Sequence, residues 1–270
     1  MHSSISQVAI FLNRSNYLGL LAVFFLGLLS QSVQAVTLKF CYQDQPLAPY
    51  YFGSGQQVPA IWPGATVEHI QQLVAKVPNL QLELVRYPWN RCLKYLQAGS
   101  VDAVVANYSE NRETLGVFPK RDGKPDQSKM FTRQDVCLVT DKELATKWNG
   151  RFFEVERKVT ATRQTPRVKL SPEIEAKLNF VQASADANSL KMLAQGRVQV
   201  VTQVCQIMEQ KVTAKSFNPQ TMVVLTPPVH QLHGYLLFSR QFYQRQPEIA
   251  EQLWQKLADP QLAVFQKYLE

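Results

Sequence analysis

The sequence predicts an α/β chain built as two lobes joined by two crossings. Three observations carry that expectation. Strand-like and helix-like periodicities alternate as β-α-β-α-β between residues 36 and 106. A second α/β series runs from Trp148 to Leu225. The chain then finishes in two helices with no sheet of their own, which must return to the first series.

Each element follows from its local pattern. Residues 36–43, VTLKFCYQ, alternate and are rich in β-branched side chains, as a strand requires. Residues 45–64, QPLAPYYFGSGQQVPAIWPG, are crowded with proline, glycine and aromatics and predict a loop. From Ala65 to Val77 the residues Val67, Ile70, Leu73, Val74 and Val77 recur at helical spacing. Leu80–Val85 alternates again, Trp89–Ala98 is helical and closed by Gly99, and Val101–Ala106 is extended. Phe131–Thr140 is an extended segment that crosses to the second series. There the expected strands are Lys158–Thr162, Leu178–Gln182, Val198–Gln203 and Met222–Leu225. The expected helices are Pro172–Lys177, Asp186–Gln195 and Gln206–Thr213, with Asp186 and Gly196 suited to the ends of the second. Pro227-Pro228 breaks the chain, Gly234–Ser239 is an apolar strand, and Pro247–Ala258 and Pro260–Leu269 are terminal helices. The lobes are thus 36–136 with 228–270, and 137–227.

Residues 17–29, YLGLLAVFFLGLL, follow Arg14 and precede the small-residue pattern Val33-Gln34-Ala35. The run is short of the roughly 20 residues of a bilayer span. It reads as a cleaved signal, residues 1–35, that exports the chain to the periplasm. No cysteine follows the cleavage site to take a lipid.

A hydrophobic fraction of 46% supports a sizeable core. The formal charge, 29 − 21 = +8, is scattered and accompanies no nucleic-acid motif, so no nucleic-acid partner is expected. The four cysteines, Cys41, Cys92, Cys137 and Cys205, permit two disulfides in an oxidising compartment, in three connectivities. None forms a C-x-x-C, so no zinc site is expected. His230-x-x-His233 would chelate a metal on a helix, but Pro227-Pro228 and Gly234 predict a loop. No metal, cofactor or catalytic residue is expected, and Asp102 reads as a strand-start or capping residue.

The segment after the Val101–Ala106 strand carries Arg112. Ligands of open α/β sheets bind beyond the carboxyl ends of strands, and a guanidinium is a planar fork matched to a carboxylate. A small anionic or zwitterionic ligand is implied.

Cys41-Tyr42 on the first strand, PWNRC at 88–92, AGSVDAVVANYSENRE at 98–113 and FPKRDGKPD at 118–126 resemble the type II periplasmic solute-binding proteins. The extracellular family 3, the polar amino-acid receptors, is the nearest branch. The likeness is specific over residues 86–130 and follows the order of elements elsewhere. It implies two α/β lobes, each a mainly parallel sheet flanked by helices, that close on a ligand like a hinged trap. It further implies a monomer, not an enzyme, read by an ABC permease or a membrane sensor.

The same resemblance implies roles for particular residues. In Ser109-Glu110-Asn111-Arg112 the arginine would pair with the ligand carboxylate, and Asn107, Tyr108 and Ser109 would line the same edge. Tyr50 and Tyr51 would cover the ligand, with Trp89 beside them. In the second lobe Thr165 and Gln203 take the matching positions. There the chain departs from the pattern: Gln164 replaces a glycine, and Gln199 and Gln203 replace two acids. The ligand is then a carboxylate with a neutral head, or one whose ammonium meets another acid such as Asp186. A cyclohexadienyl dehydratase-like lyase, using Glu110, Glu113 or Asp186, and a non-binding accessory module are the alternatives.

With strands in 2-1-3 order, Cys41 near the end of the first and Cys92 just after the second come within bridging reach. Cys137 on the crossing strand and Cys205 form the second expected pair.

Overall fold

A computed structural model describes residues 35–163, 168–181, 186–257 and 262–269. The expected signal segment and Thr165 lie outside the described residues. The first expected series is present as β1 (Val36–Gln43), α1 (Ala65–Ala75), β2 (Leu80–Tyr87), α2 (Trp89–Ala98) and β3 (Ala103–Asn107). A small hairpin, β4 (Lys120–Arg121) and β5 (Lys124–Pro125), precedes the crossing strand β6 (Thr132–Asp141). The second series is α3 (Lys142–Ala145), β7 (Val159–Thr162), α4 (Pro172–Ala176), β8 (Leu178–Val181), α5 (Asp186–Ala194), β9 (Val200–Ile207), β10 (Gln210–Lys211) and β11 (Met222–Val224). The chain returns along β12 (His230–Phe238) into α6 (Arg240–Arg245), α7 (Pro247–Lys256) and α8 (Leu262–Lys267).

One ten-stranded mixed sheet runs through the molecule in the order β2-β1-β3-β12-β6-β9-β7-β8, with β10 beside β9 and β11 beside β6. The expected 2-1-3 order is present, and β1 and β3 pair in parallel. So do β7 with β8 and β7 with β9. The two crossing strands run antiparallel to their neighbours and join what the sequence pattern treats as separate sheets. β12 does this by changing partner along its length. His230–Gly234 pair with β6 and Gly234–Phe238 with β3. Gly234 stands opposite both Asn107 and Thr132. A Cβ there would collide with the Thr132 hydroxyl, so only glycine lets three strands meet at this point.

Separate cores flank the two ends of the sheet. Cys41, Cys92, Leu96, Val104 and Tyr235 form one; Val136, Leu138, Ala161, Ile174 and Val200 form another. Both expected disulfides are present, Cys41–Cys92 and Cys137–Cys205, each with its Cα atoms 5.7 Å apart. Cys41–Cys92 ties β1 to the start of α2 within the first core. Asp102 has the expected structural role: it accepts from the Lys39 amide (2.9 Å) and from Arg245 (3.2 Å), linking β1, β3 and α6. The terminal helices return as expected, with α7 and α8 packed on α1. Lys267 and the Tyr268 hydroxyl both reach Glu68, each at 2.8 Å.

Two sequence expectations fail. Gln206–Thr213 is not a helix, because Gln206 and Ile207 pair with β6 at Asp135 and Gln134. The chain then turns back through Met208 and Glu209 (φ 46° and 70°), which carry none of the usual glycine or asparagine signal for such a turn. His230–His233 is not a loop but the first part of β12, where pairing with β6 outweighs the breakers on either side. Side chains three apart on a strand point to opposite faces, so the pair does not form a chelate. Among the described residues no cluster of three metal-ligating side chains occurs, and no helix is long and apolar enough to cross a membrane.

His69 on α1 is buried against Phe131, with ring centroids 4.2 Å apart. Burial, with Lys76 adding to it, lowers its pKa from 6.5 to about 4. The unfolded chain therefore binds a proton that the folded chain refuses between these values. The contribution of His69 is complete above about pH 6.5 and is lost as the pH falls towards 4, to the extent of about 3 kcal/mol. Urea titrations at pH 7 and pH 4 should show this slope, and His69→Phe should remove it. An unchanged slope in the variant would exclude His69 as its origin.

Candidate functional site

The site begins with a buried cation that recognises no carboxylate. Arg86 lies in register with Leu80, Leu82 and Leu84 on the inward face of β2 and is 1% exposed. Its guanidinium donates to the carbonyls of Gly53 (2.8 Å), Gln57 (2.8 Å) and Gln43 (3.4 Å) and lies over the Tyr42 ring at 5.1 Å. The long loop after β1 is thus pinned from inside. Gly64, at φ 112°, closes that loop so tightly on Tyr50 that a Cβ would strike its carbonyl. Tyr50 and Tyr51 are held between these two points. Tyr51 stacks on Tyr42 at 5.1 Å, and Tyr50 meets the edge of Phe265 at 6.2 Å.

Arg112 approaches from the other side. It ends a short 3-10 turn, Glu110–Arg112, that follows the carboxyl end of β3. Its side chain folds back and is 7% exposed. One terminal nitrogen donates to the Asn107 carbonyl at 2.8 Å, and the guanidinium lies 5.7 Å from the ring centre of Trp89, the first residue of α2. The crossing strand supplies Thr132 and Gln134, and the Gln134 amide donates to the Tyr50 hydroxyl oxygen at 2.6 Å. Together these groups enclose a cavity of about 260 Å³, lined also by Gln43, Leu47 and Val105. Burial raises the pKa of both Tyr50 and Tyr51 far above the usual phenol value. Both are therefore neutral at physiological pH.

Five of the sequence-predicted residues, Tyr50, Tyr51, Trp89, Asn107 and Arg112, meet in this cavity. Tyr108 and Ser109 line a neighbouring cavity of about 850 Å³ with Glu110, Lys169 and His233. Strand alternation separates Asn107 from Tyr108. The Tyr108 hydroxyl donates to Glu113 at 2.6 Å, which pushes its pKa up to about 12, and Lys120 holds the same carboxylate at 2.8 Å. Gln203 lies on β9 opposite Cys137, with its side-chain oxygen buried and accepting no hydrogen bond among the described residues. The sequence reading missed Gln134, Thr132 and Arg86. For Arg86 a signal existed: a charge at an inward position of an alternating strand needs a buried partner.

No protein-family model and no curated protein matches the chain. Its backbone does match solved structures. The L-cystine solute receptor of Neisseria gonorrhoeae, in an unliganded open conformation, is 16% identical with a TM-score of 0.55, covering 87% of this chain and 93% of the receptor. The periplasmic VFT2 domain of BvgS from Bordetella pertussis is 13% identical with a TM-score of 0.54, covering 86% and 93%. The ancestral amino acid-binding protein AncCDT-1, a precursor of cyclohexadienyl dehydratase, is 12% identical with a TM-score of 0.51, covering 87% and 96%. The fold is that of the two-lobed type II periplasmic binding proteins. At these identities the likeness extends to the fold, and the chemistry of the cavity must be argued from its own residues.

Removing the Arg86 fork while keeping its apolar stem leaves buried carbonyls unpaired. Arg86→Met should cost about 3 kcal/mol in urea denaturation. Arg86→Lys, a single point donor, should recover little of it. A loss below about 1 kcal/mol, no more than an average substitution, would mean that the loop is held by other contacts.

Proposed function

We propose that the chain is an exported solute-binding protein that captures a small carboxylate-bearing ligand in the Arg112 cavity. The observation that carries this reading is the setting of Arg112. A buried guanidinium at the carboxyl end of β3, over Trp89 and facing Tyr50 and Tyr51, suits a directional, charge-assisted contact with a carboxylate. The lobes are 36–136 with 228–270, and 137–227, and they hinge where β6 and β12 cross. Ligand contacts made with both lobes would favour the closed state by their difference between closed and open forms. Gln203, and Thr165 beyond the described residues, would be the second lobe's contributions, and Ser109 and Tyr108, which line the neighbouring cavity, would act from there.

The gonococcal neighbour is a solute receptor and the Bordetella neighbour is a periplasmic domain of BvgS. These likenesses support delivery to an ABC permease or a membrane sensor from the periplasm, by a monomer freed of residues 1–35. The AncCDT-1 likeness does not favour a lyase, since that protein is itself described as amino acid-binding. Glu113, an acid considered for such chemistry, is held by Tyr108 and Lys120.

A thermal-shift screen of residues 36–270 against amino acids, small carboxylates and oligopeptides tests the reading. A ligand at one hundred times its Kd should add about 2.7 kcal/mol of stability. The shift should vanish in Arg112→Ala. A shift that survives this substitution would move the site away from Arg112, and turnover of a bound compound would make the chain an enzyme.

A further inference from the structure

Two polar side chains of the Arg112 cavity meet across 84 residues of sequence. Gln134 comes from β6, where Leu232 of β12 and Ile207 of β9 stand opposite it on either side, so its backbone is fixed among three strands. Tyr50 comes from the loop after β1. Its amide donates to the Leu47 carbonyl at 2.8 Å, its carbonyl accepts from the Thr66 amide at 3.2 Å, and its ring meets the edge of Phe265. The two side chains thus face each other from separately held frames, and both line the cavity.

The direction of their contact decides what Tyr50 can offer. The Gln134 amide nitrogen donates and the Tyr50 oxygen accepts, at 2.6 Å. A phenol oxygen carries one proton beside its acceptor lone pairs. With the amide N–H on one side of that oxygen, the Tyr50 proton must point elsewhere. Burial keeps the proton in place, because it raises the phenol pKa. Among the described residues no side chain or backbone group accepts it. A buried donor left without a partner is costly, and a ligand acceptor placed against it recovers that cost. A carbonyl does so. A methylene leaves the proton unpaired, and a hydroxyl can serve in either direction.

We propose, on the reading that this cavity is the ligand site, that Gln134 is its specificity-determining residue. It sets the Tyr50 hydroxyl as a donor, and the cavity thereby selects carboxylates that carry a carbonyl farther along the chain over the same acids without one.

The test is a calorimetric titration of residues 36–270 at pH 8 with pentanoate, 4-oxopentanoate and 4-hydroxypentanoate. Hexanoate, 5-oxohexanoate and 5-hydroxyhexanoate form a second, longer set. The oxo acids should bind about tenfold more tightly than the parent acids, and the hydroxy acids should share that advantage. Gln134→Glu gives the Tyr50 proton a carboxylate to bond, which leaves the phenol oxygen as an acceptor. In that variant the oxo acids should fall to the level of the parent acids, while the hydroxy acids keep their lead. The new carboxylate weakens all the acids alike, so the ratio among them is the readout, and a merely structural Gln134 would leave the ratio unchanged. Tyr50→Phe should erase both preferences. Equal binding of oxo and parent acids by the unaltered protein would overturn this inference and leave the receptor reading standing. An oxo preference that survives Gln134→Glu would remove the role given to Gln134. Binding of none of the six acids would overturn the inference as well, and the thermal-shift screen would then decide the receptor reading by itself. The comparison among probes uses the unaltered protein, so it stands even where a variant fails to fold.

Discussion

The structure depends on one shared strand. β12 carries hydrogen bonds to β3 over one half of its length and to β6 over the other, and Gly234 belongs to both ladders. Its carbonyl accepts from the Phe131 amide at 2.7 Å, while the neighbouring His233 carbonyl accepts from the Tyr108 amide at 3.1 Å. The two ends of the sheet are therefore continuous through a point where no side chain fits. Asn107 and Thr132, the residues opposite Gly234, are also residues of the cavity wall. A change in the angle between β3 and β6 must then alter the spacing of the groups that line the cavity. On the proposed reading of the cavity as a ligand site, ligand contact and the angle between these strands would be coupled by covalent and hydrogen-bonded geometry, with no intermediary required.

The loop after β1 is governed by a different constraint. It is long and rich in breakers, and its sequence alone offers few contacts to hold it. Arg86 supplies them from β2, and the Cys41–Cys92 bridge fixes β1 against the helix that begins with Trp89. A guanidinium buried without a carboxylate is costly unless its donors are satisfied. Here three backbone carbonyls and an aromatic ring take that part, so breaking the set exposes both the cation and the carbonyls. The consequence for the site is rigidity on one side: Tyr50 and Tyr51 are locked in a frame that includes Tyr42 and Phe265. The opposite wall comes from Thr132 and Gln134 at the start of the crossing strand β6.

Much of this was legible in the sequence because it rests on local periodicity. The β-α-β-α-β run follows from alternation and helical spacing, and with its strands taken in 2-1-3 order Cys41 and Cys92 come within reach of each other. The convergence of Arg112, Trp89, Asn107, Tyr50 and Tyr51 came from recognisable motifs. What escaped notice depends on partners far away in sequence. Gln134 reaches Tyr50 across 84 residues, and nothing near residue 134 announces it. Gln206–Ile207 are strand because β6 is there to pair with them, although the local residues read equally well as a helix start. Met208 and Glu209 adopt positive φ without the residues that normally signal it, and His230 joins a ladder despite a preceding double proline. The resemblance places Tyr108 and Ser109 on the edge of Asn107 and Arg112, yet Asn107 lines the Arg112 cavity while Tyr108 and Ser109 line its neighbour.

The electrostatics of the chain show why local environment outweighs net charge. The whole chain is formally +8, which draws anions towards any part of its surface. That field cannot select among them, because exposed charges are screened within about 8–10 Å at physiological salt. Selection requires a charge whose surroundings are dry and fixed. Arg86 and Arg112 are both nearly inaccessible, but they differ in what their surroundings do. Arg86 is enclosed by carbonyls of one loop, so its charge is spent on the fold. Arg112 lines a cavity large enough for a small molecule, beside neutral amides and aromatic rings. The same residue type thus serves structure at one end of the loop and, on the reading advanced above, recognition at the other. Exchange of their surroundings, not of their charge, is what would exchange their roles.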